Sequence, residues 1–162
     1  MIDISKFGKR RVAIGGSVAG AVAIAAVLAG SFEGERHRVY RDIVGVPTYC
    51  IGETKNPDWN KTYTHKECVE IFEGRLTEFA EGVQKCVKTP MSDTRFAAYI
   101  SLSYNIGVAG FCRSTVVRLQ NAGHLKEACD AMRAWNHAGG KVVYGLTRRR
   151  EAERKLCLED LK

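Results

Sequence analysis

SFEGERHRVYRDIVGVPTYC, residues 31–50, sets Glu33, Asp42 and Thr48 in the order Glu-x8-Asp-x5-Thr, with Gly45 and Pro47 as turn formers between the second carboxylate and the hydroxyl. Cleaving a glycosidic bond takes one carboxyl that gives a proton to the leaving oxygen and a second group that handles the anomeric carbon or its water. Two carboxyls divide that work only where their surroundings hold their pKa values apart. Glu33 follows an apolar stretch and is expected to be the partly desolvated acid. Asp42, in a polar turn beside Arg41, is expected to stay ionised, with Thr48 helping it hold a water. Glu35 is the nearest rival acid, but the residue at the same spacing from it is Val44, so the pattern selects Glu33.

The 162 residues fit one modest domain plus an appendage, and a hydrophobic fraction of 45% is enough to build a core. The net charge is +7, of which residues 1–11 supply +3 through Lys6, Lys9, Arg10 and Arg11 against Asp3. A basic surface suits an anionic partner, whether cell wall, nucleic acid or phospholipid. Six cysteines (50, 68, 86, 112, 129, 157) without a Cys-x2–4-Cys spacing argue against zinc and for an oxidising compartment. Six cysteines allow about fifteen connectivities, so the sequence alone leaves the pairs open.

Upstream of the motif, residues 12–30 (VAIGGSVAGAVAIAAVLAG) form an uncharged run of 19 preceded by Lys9-Arg10-Arg11. As a helix it is long enough to cross roughly 30 Å of hydrocarbon, with its N-terminus in the cytoplasm. Yet 12 of the 19 residues are Ala, Gly or Ser, so insertion is expected to be marginal. A cleaved signal peptide, a permanent anchor, a weak anchor that later leaves the bilayer and a buried soluble helix all remain open, and the Ala/Gly content favours the weak anchor. Glu33 lies three residues past Gly30, so an anchored segment would hold it against the membrane.

Downstream, Val39–Val46 and the stretch from Thr48 suggest a small antiparallel sheet. Thr64-His-Lys-Glu67 reads as a capping box, followed by apolar residues at 68, 71, 72, 76, 79, 80 and 83, which predicts a helix to the Cys86 region. Ser92 caps a second helix that is apolar nearly all round and therefore central. Ser114 caps a short helix ending near Gly123. Another helix is expected over about 124–136, then a loop at Gly139-Gly140, then a basic helix from about Thr147 to Leu161. On that last helix Arg148, Arg149, Arg150 and Arg154 are expected to form a solvated face with ion pairs. Trp135 is expected in the core, His65, His124 and His137 in solvent, and His37 near the acid without a catalytic part.

Taken together, these residues resemble the phage-type lysozymes, glycoside hydrolase family 24, and within them the signal-anchor-release endolysins of lambdoid phages. The likeness runs through Phe32-Glu33-Gly34 with Tyr40-Arg41-Asp42, Pro47-Thr48, Tyr104-Asn-Ile-Gly107 with Phe111 and Ser114-Thr115, Trp135 with Ala138-Gly139, and Gly145-Leu-Thr-Arg-Arg-Arg150 with Glu153-Arg154 and Leu156-Cys157. It implies an α+β, mainly α, two-lobed fold with a small antiparallel sheet and a helical lobe. It also implies hydrolysis, with inversion, of the β-1,4 bond between N-acetylmuramic acid and N-acetylglucosamine in peptidoglycan, for host cell lysis. Glu33 is then the general acid, and Asp42 with Thr48 the pair that handles water; no cofactor, metal or nucleic acid enters. Residues 1–11 become a cytoplasmic N-terminus, 12–30 a releasable anchor and 31–162 the muramidase domain, held in the host inner membrane and then released to the periplasm as a monomer. A lytic transglycosylase and a non-catalytic peptidoglycan-binding protein are the alternatives.

Where many relatives carry Gly-His-Thr, this chain has Gly52-Glu53-Thr54. The anchor holds no cysteine, so control by disulfide exchange with it is not expected. Helix positions suggest the pairs Cys50–Cys68, Cys86–Cys112 and Cys129–Cys157.

Overall fold

A computed structural model describes residues 17–42 and 44–162. The expected basic N-terminus and the first residues of the apolar run, 12–16, lie outside the described residues. From Val18 the run forms helix α1 (Val18–Gly30), whose first turn is capped by Ser17 Oγ accepting the Gly20 N–H at 3.1 Å. Ala21, Ala25 and Ala29 recur every four residues on one face and are fully buried, with Val22, Ile24 and Leu28 beside them. Small side chains let α1 lie close against the next two long helices, so a stretch poor in strong hydrophobes still fills core space. Among the described residues no helix is long and apolar enough to cross a membrane.

Strands β1 (Arg36–Arg41) and β2 (Pro47–Cys50) follow as an antiparallel hairpin in which Tyr40 faces Thr48 and Arg41 faces Pro47. Helix α2 (His65–Cys86) opens on the expected capping box: Thr64 Oγ1 accepts from Glu67 N–H while Glu67 Oε2 accepts from Thr64 N–H. The hydrogen bond from the Thr64 backbone N–H first, then those from Lys61 and the Thr64 hydroxyl, bring the Glu67 carboxyl down to about 2. Helix α3 (Asp93–Ile106) is buried without interruption from Thr94 to Ser103 and is the axis of the helical lobe. It packs against α1, α2 and the last helix.

Around it run α4 (Val108–Cys112), α5 (Thr115–Asn121, capped by Ser114), α6 (Leu125–Ala131) and α7 (Tyr144–Cys157). The helix expected over 124–136 is shorter, because after Ala131 the chain tightens into a 3-10 turn at Met132–Ala134. The glycine pair expected in a loop makes a second hairpin, β3 (His137–Ala138) and β4 (Lys141–Val142), with Gly139 and Gly140 at φ +56° and +76°. The short α4 and this second hairpin carry too few periodic residues to announce themselves in sequence.

The three cysteine pairs are those expected. Cys50–Cys68 ties the end of β2 to the start of α2, Cys86–Cys112 ties α2 to α4, and Cys129–Cys157 ties α6 to α7. Each closes a loop of 18 to 28 residues, a length for which chain entropy is worth about 3 kcal/mol.

Candidate active site

Just past the C-terminus of α1, the backbone continues through Ser31, Phe32 and Glu33, whose N–H groups donate to Leu28, Ala29 and Gly30 carbonyls. These overlapping turns hold Glu33 at the base of the helix that precedes it. Its side chain is about one-quarter exposed, at 27%, and its Oε1 accepts from Arg149 Nη1 at 2.7 Å. The Arg149 guanidinium also lies over the Phe32 ring, 5.6 Å from its centroid. The residue next to the acid thus helps pack the cation that binds it.

On the other side of Glu33 stands the turn that follows β2. Tyr49 and Glu53 exchange backbone hydrogen bonds of 2.9 Å across it, and Glu53, nearly buried, caps it by accepting the N–H groups of Thr54 and Lys55. Gly52 takes φ +75°, and a Cβ there would stand 3.3 Å from the Tyr104 hydroxyl and 3.9 Å from Glu33 Oε2. The turn therefore passes the acid with only a glycine's width to spare. Tyr104 donates to the Ile51 carbonyl at 3.3 Å and packs edge-on against Phe72 and Phe79 of α2. Burial first, then the negative charges of Glu33 and Glu53, push its phenol up to about 12.

Asp42 and Thr48 sit at the far end of the same hairpin. Residues facing one another across a ladder share a side, as do residues two apart, so Tyr40, Asp42, Val46 and Thr48 belong to one face. Asp42 Oδ1 accepts the Val44 and Val46 N–H groups at 2.9 and 2.8 Å, which makes the carboxylate the organiser of its own turn. Among the described residues Asp42 Oδ2 has no hydrogen-bond partner. Thr48 is buried, and its hydroxyl donates to the Val46 carbonyl at 3.0 Å. With that proton committed, the Thr48 oxygen presents only lone pairs. A water between Thr48 Oγ1 and Asp42 Oδ2 would have to donate to both, leaving its own lone pair free to attack.

The last helix corrects one expectation. Arg148 is exposed and Arg154 pairs with Asp130 at 2.6 Å, but Arg149 and Arg150 are buried at 4% and 0% exposure rather than on a solvated face. Their charges are met by the fully buried Glu153 and, for Arg149, by Glu33. The sequence signal that could have shown this was Glu153, three and four residues on from the two arginines and therefore on their side of the helix. His37 and His65 both bond Glu35, at 2.8 and 2.9 Å. Against the upward pull of burial, hydrogen bonds from His65 and then His37 hold the Glu35 carboxyl below its usual range. Trp135 is half-buried against the core. Among the described residues no group of His, Cys, Asp and Glu could hold a metal ion.

Comparison with known proteins agrees with this mainly helical fold with its small antiparallel hairpins. The Phage lysozyme family model matches residues 30–153. A SAR-endolysin of Enterobacteria phage P21 is 42% identical over 153 residues, covering 90% of this chain and 91% of the relative, and a SAR-endolysin of Bacteriophage PS119 is 41% identical over 146 residues, covering 86% and 87%. Among solved structures, a mutant of P22 lysozyme superposes with a TM-score of 0.78 at 27% identity, covering 93% of this chain and 100% of that one. The chain belongs to the phage lysozyme family.

Proposed function

We propose that this protein is an endolysin that hydrolyses the β-1,4 bond between N-acetylmuramic acid and N-acetylglucosamine in peptidoglycan to lyse the host cell. The observation that carries the reading is the position of Glu33, ion-paired to buried Arg149 on the helical side and bordering, on the other, the turn that ends the hairpin of Asp42 and Thr48. Glu33 gives its proton to the leaving oxygen as general acid. Asp42 and Thr48 accept the two hydrogens of a water and direct it at the anomeric carbon, so the bond is broken in one step with inversion. A fixed acid and a placed water both act by orientation, and neither step asks for a cofactor.

We further propose that residues 12–30 first hold the chain in the host inner membrane, with residues 1–11 in the cytoplasm and residues 31–162 in the periplasm. The soluble monomer then forms when this segment leaves the bilayer. The relatives' name, SAR-endolysin, and the burial of Ala21, Ala25 and Ala29 in the folded lobe support this. A helix whose apolar face is mostly alanine gains little from lipid and packs closely against α3. Returning the basic N-terminus across the membrane works against about 2.3 kcal/mol per charge per 100 mV, so loss of the membrane potential favours exit.

Product analysis tests the chemistry. Digested murein is expected to carry reducing muramic acid ends with the inverted anomer formed first. Anhydro-muramic ends would identify a transglycosylase instead, and binding without release of fragments would identify a non-catalytic wall-binding protein.

A further inference from the structure

Behind the proposed acid, three charged side chains, Arg149, Glu153 and Arg150, run into the helical lobe. Arg149 uses its whole fork: Nη1 donates to Glu33 Oε1 at 2.7 Å, Nε to Glu153 Oε1 at 3.2 Å and Nη2 to the Ser101 carbonyl at 3.4 Å. Arg150 meets both oxygens of Glu153, with Nη2 3.0 Å from Oε1 and Nε 2.8 Å from Oε2 as an ion pair off the hydrogen-bond direction. Its Nη1 donates to the Trp135 carbonyl at 3.4 Å. The Ser101 hydroxyl completes the cluster by donating to Glu153 Oε1 at 2.7 Å. The side chains of Arg149, Arg150 and Glu153 are 5%, 1% and 0% exposed, so their fields are weakly screened by water.

Two guanidiniums share one carboxylate, and the excess positive charge points at Glu33. We propose that Glu153 is a positioning residue for the general acid, aiming Arg149 at Glu33 and cancelling one of the two positive charges behind it. The inference rests on the reading of Glu33 as that acid. A general acid must arrive carrying its proton, and a nearby cation favours the ionised form. One compensated arginine orients the carboxyl, whereas two uncompensated ones would strip it. Among the described residues, the other charged and titratable groups beside this line are Tyr104 of α3, Glu53 on the adjoining turn and Arg75 of α2. Burial holds the Glu153 carboxyl above its usual range, opposed by the charges of Arg150 and then Arg149 and by the hydrogen bonds from Ser101 and Arg149.

Three proteins carry the buried cluster at different net charge: +1 in the wild type, +2 in Glu153→Gln and zero in Arg150→Met, counting Arg149, Arg150 and Glu153. The kcat–pH profile on solubilised murein fragments reads the effect. In Glu153→Gln the alkaline limb should move about one pH unit down, with kcat at neutral pH falling about tenfold and KM within about twofold. In Arg150→Met the limb should move up. A merely structural role would lower activity at every pH and leave the limb in place, and an unmoved limb in either folded variant overturns the inference. If Glu153→Gln does not fold, Arg150→Met decides alone, since its remaining Arg149–Glu153 pair is neutral. Glu33→Gln is the control for the underlying reading: activity retained in that variant sinks the assignment of the acid, whereas an inactive Glu33→Gln with unmoved limbs in the other two sinks only the part given to Glu153.

Discussion

The two sides of the site are built by opposite means. The side chains of Asp42 and Thr48 are held by a local device, a hairpin turn in which each side-chain hydrogen-bond partner is a backbone group within four residues. Glu33 is held by a side chain 116 residues away, itself fixed by a buried ionic cluster. The hairpin side is partly open to water at Asp42. The helical side is closed, and a single lost charge there leaves another buried without its partner, which is strongly destabilising. The difference fits the proposed division of labour, in which Asp42 handles water and Glu33 delivers a proton.

Substitutions on the two sides should therefore behave differently. Glu33→Gln is expected to lower the rate on murein on the order of 10³-fold and Asp42→Asn on the order of 10²-fold, both with unchanged far-ultraviolet dichroism. Smaller and more revealing are the disulfides. Replacing Cys50 and Cys68 by Ala should cost about 3 kcal/mol in denaturant unfolding and also lower activity, because the bridge anchors the strand that ends beside Gly52. Replacing Cys129 and Cys157 should cost a similar amount of stability with little change in kcat of the folded enzyme. Gly52→Ala, strained at φ +75° and tight against the Tyr104 hydroxyl, should cost about 1 kcal/mol and a few-fold in rate, measured by melting and turnover.

The smallest effect is on pH-dependent stability. The Glu35 carboxyl is depressed in the folded chain, so its contribution is present above the unfolded value near 4.5 and is lost as pH falls through the folded one. The melting temperature of Glu35→Gln should sit about 1–2 °C below the wild type at neutral pH and merge with it in acid.

What could be read in the sequence follows the same division. The capping box at Thr64, the period of α2 and the all-round apolar α3 are local signals that give a mostly helical chain with a small sheet, whereas the two-lobed fold comes from the family resemblance. The disulfide pairs were suggested by helix positions, while cysteine count alone leaves about fifteen connectivities open. Arg149 and Arg150 were misread as a solvated face, since a run of three arginines in a basic helix looks the same whether or not another element covers it. Nothing near Arg149 announces Glu33 as its partner. The second hairpin was missed because two-residue strands leave no alternation to detect.

The central claim, that Glu33 is the proton donor and Asp42 is not, is tested most directly by a substrate that needs no proton. Rates of wild type, Glu33→Gln and Asp42→Asn should be measured on murein and on a muramic acid–containing glycoside with a dinitrophenyl leaving group. Glu33→Gln, crippled on murein, is expected to recover to within about tenfold of the wild type on the activated glycoside, because its leaving group departs without protonation. Asp42→Asn, which fails at placing water, should stay impaired on both. Equal losses on both substrates for Glu33→Gln, or no loss on either, would contradict it.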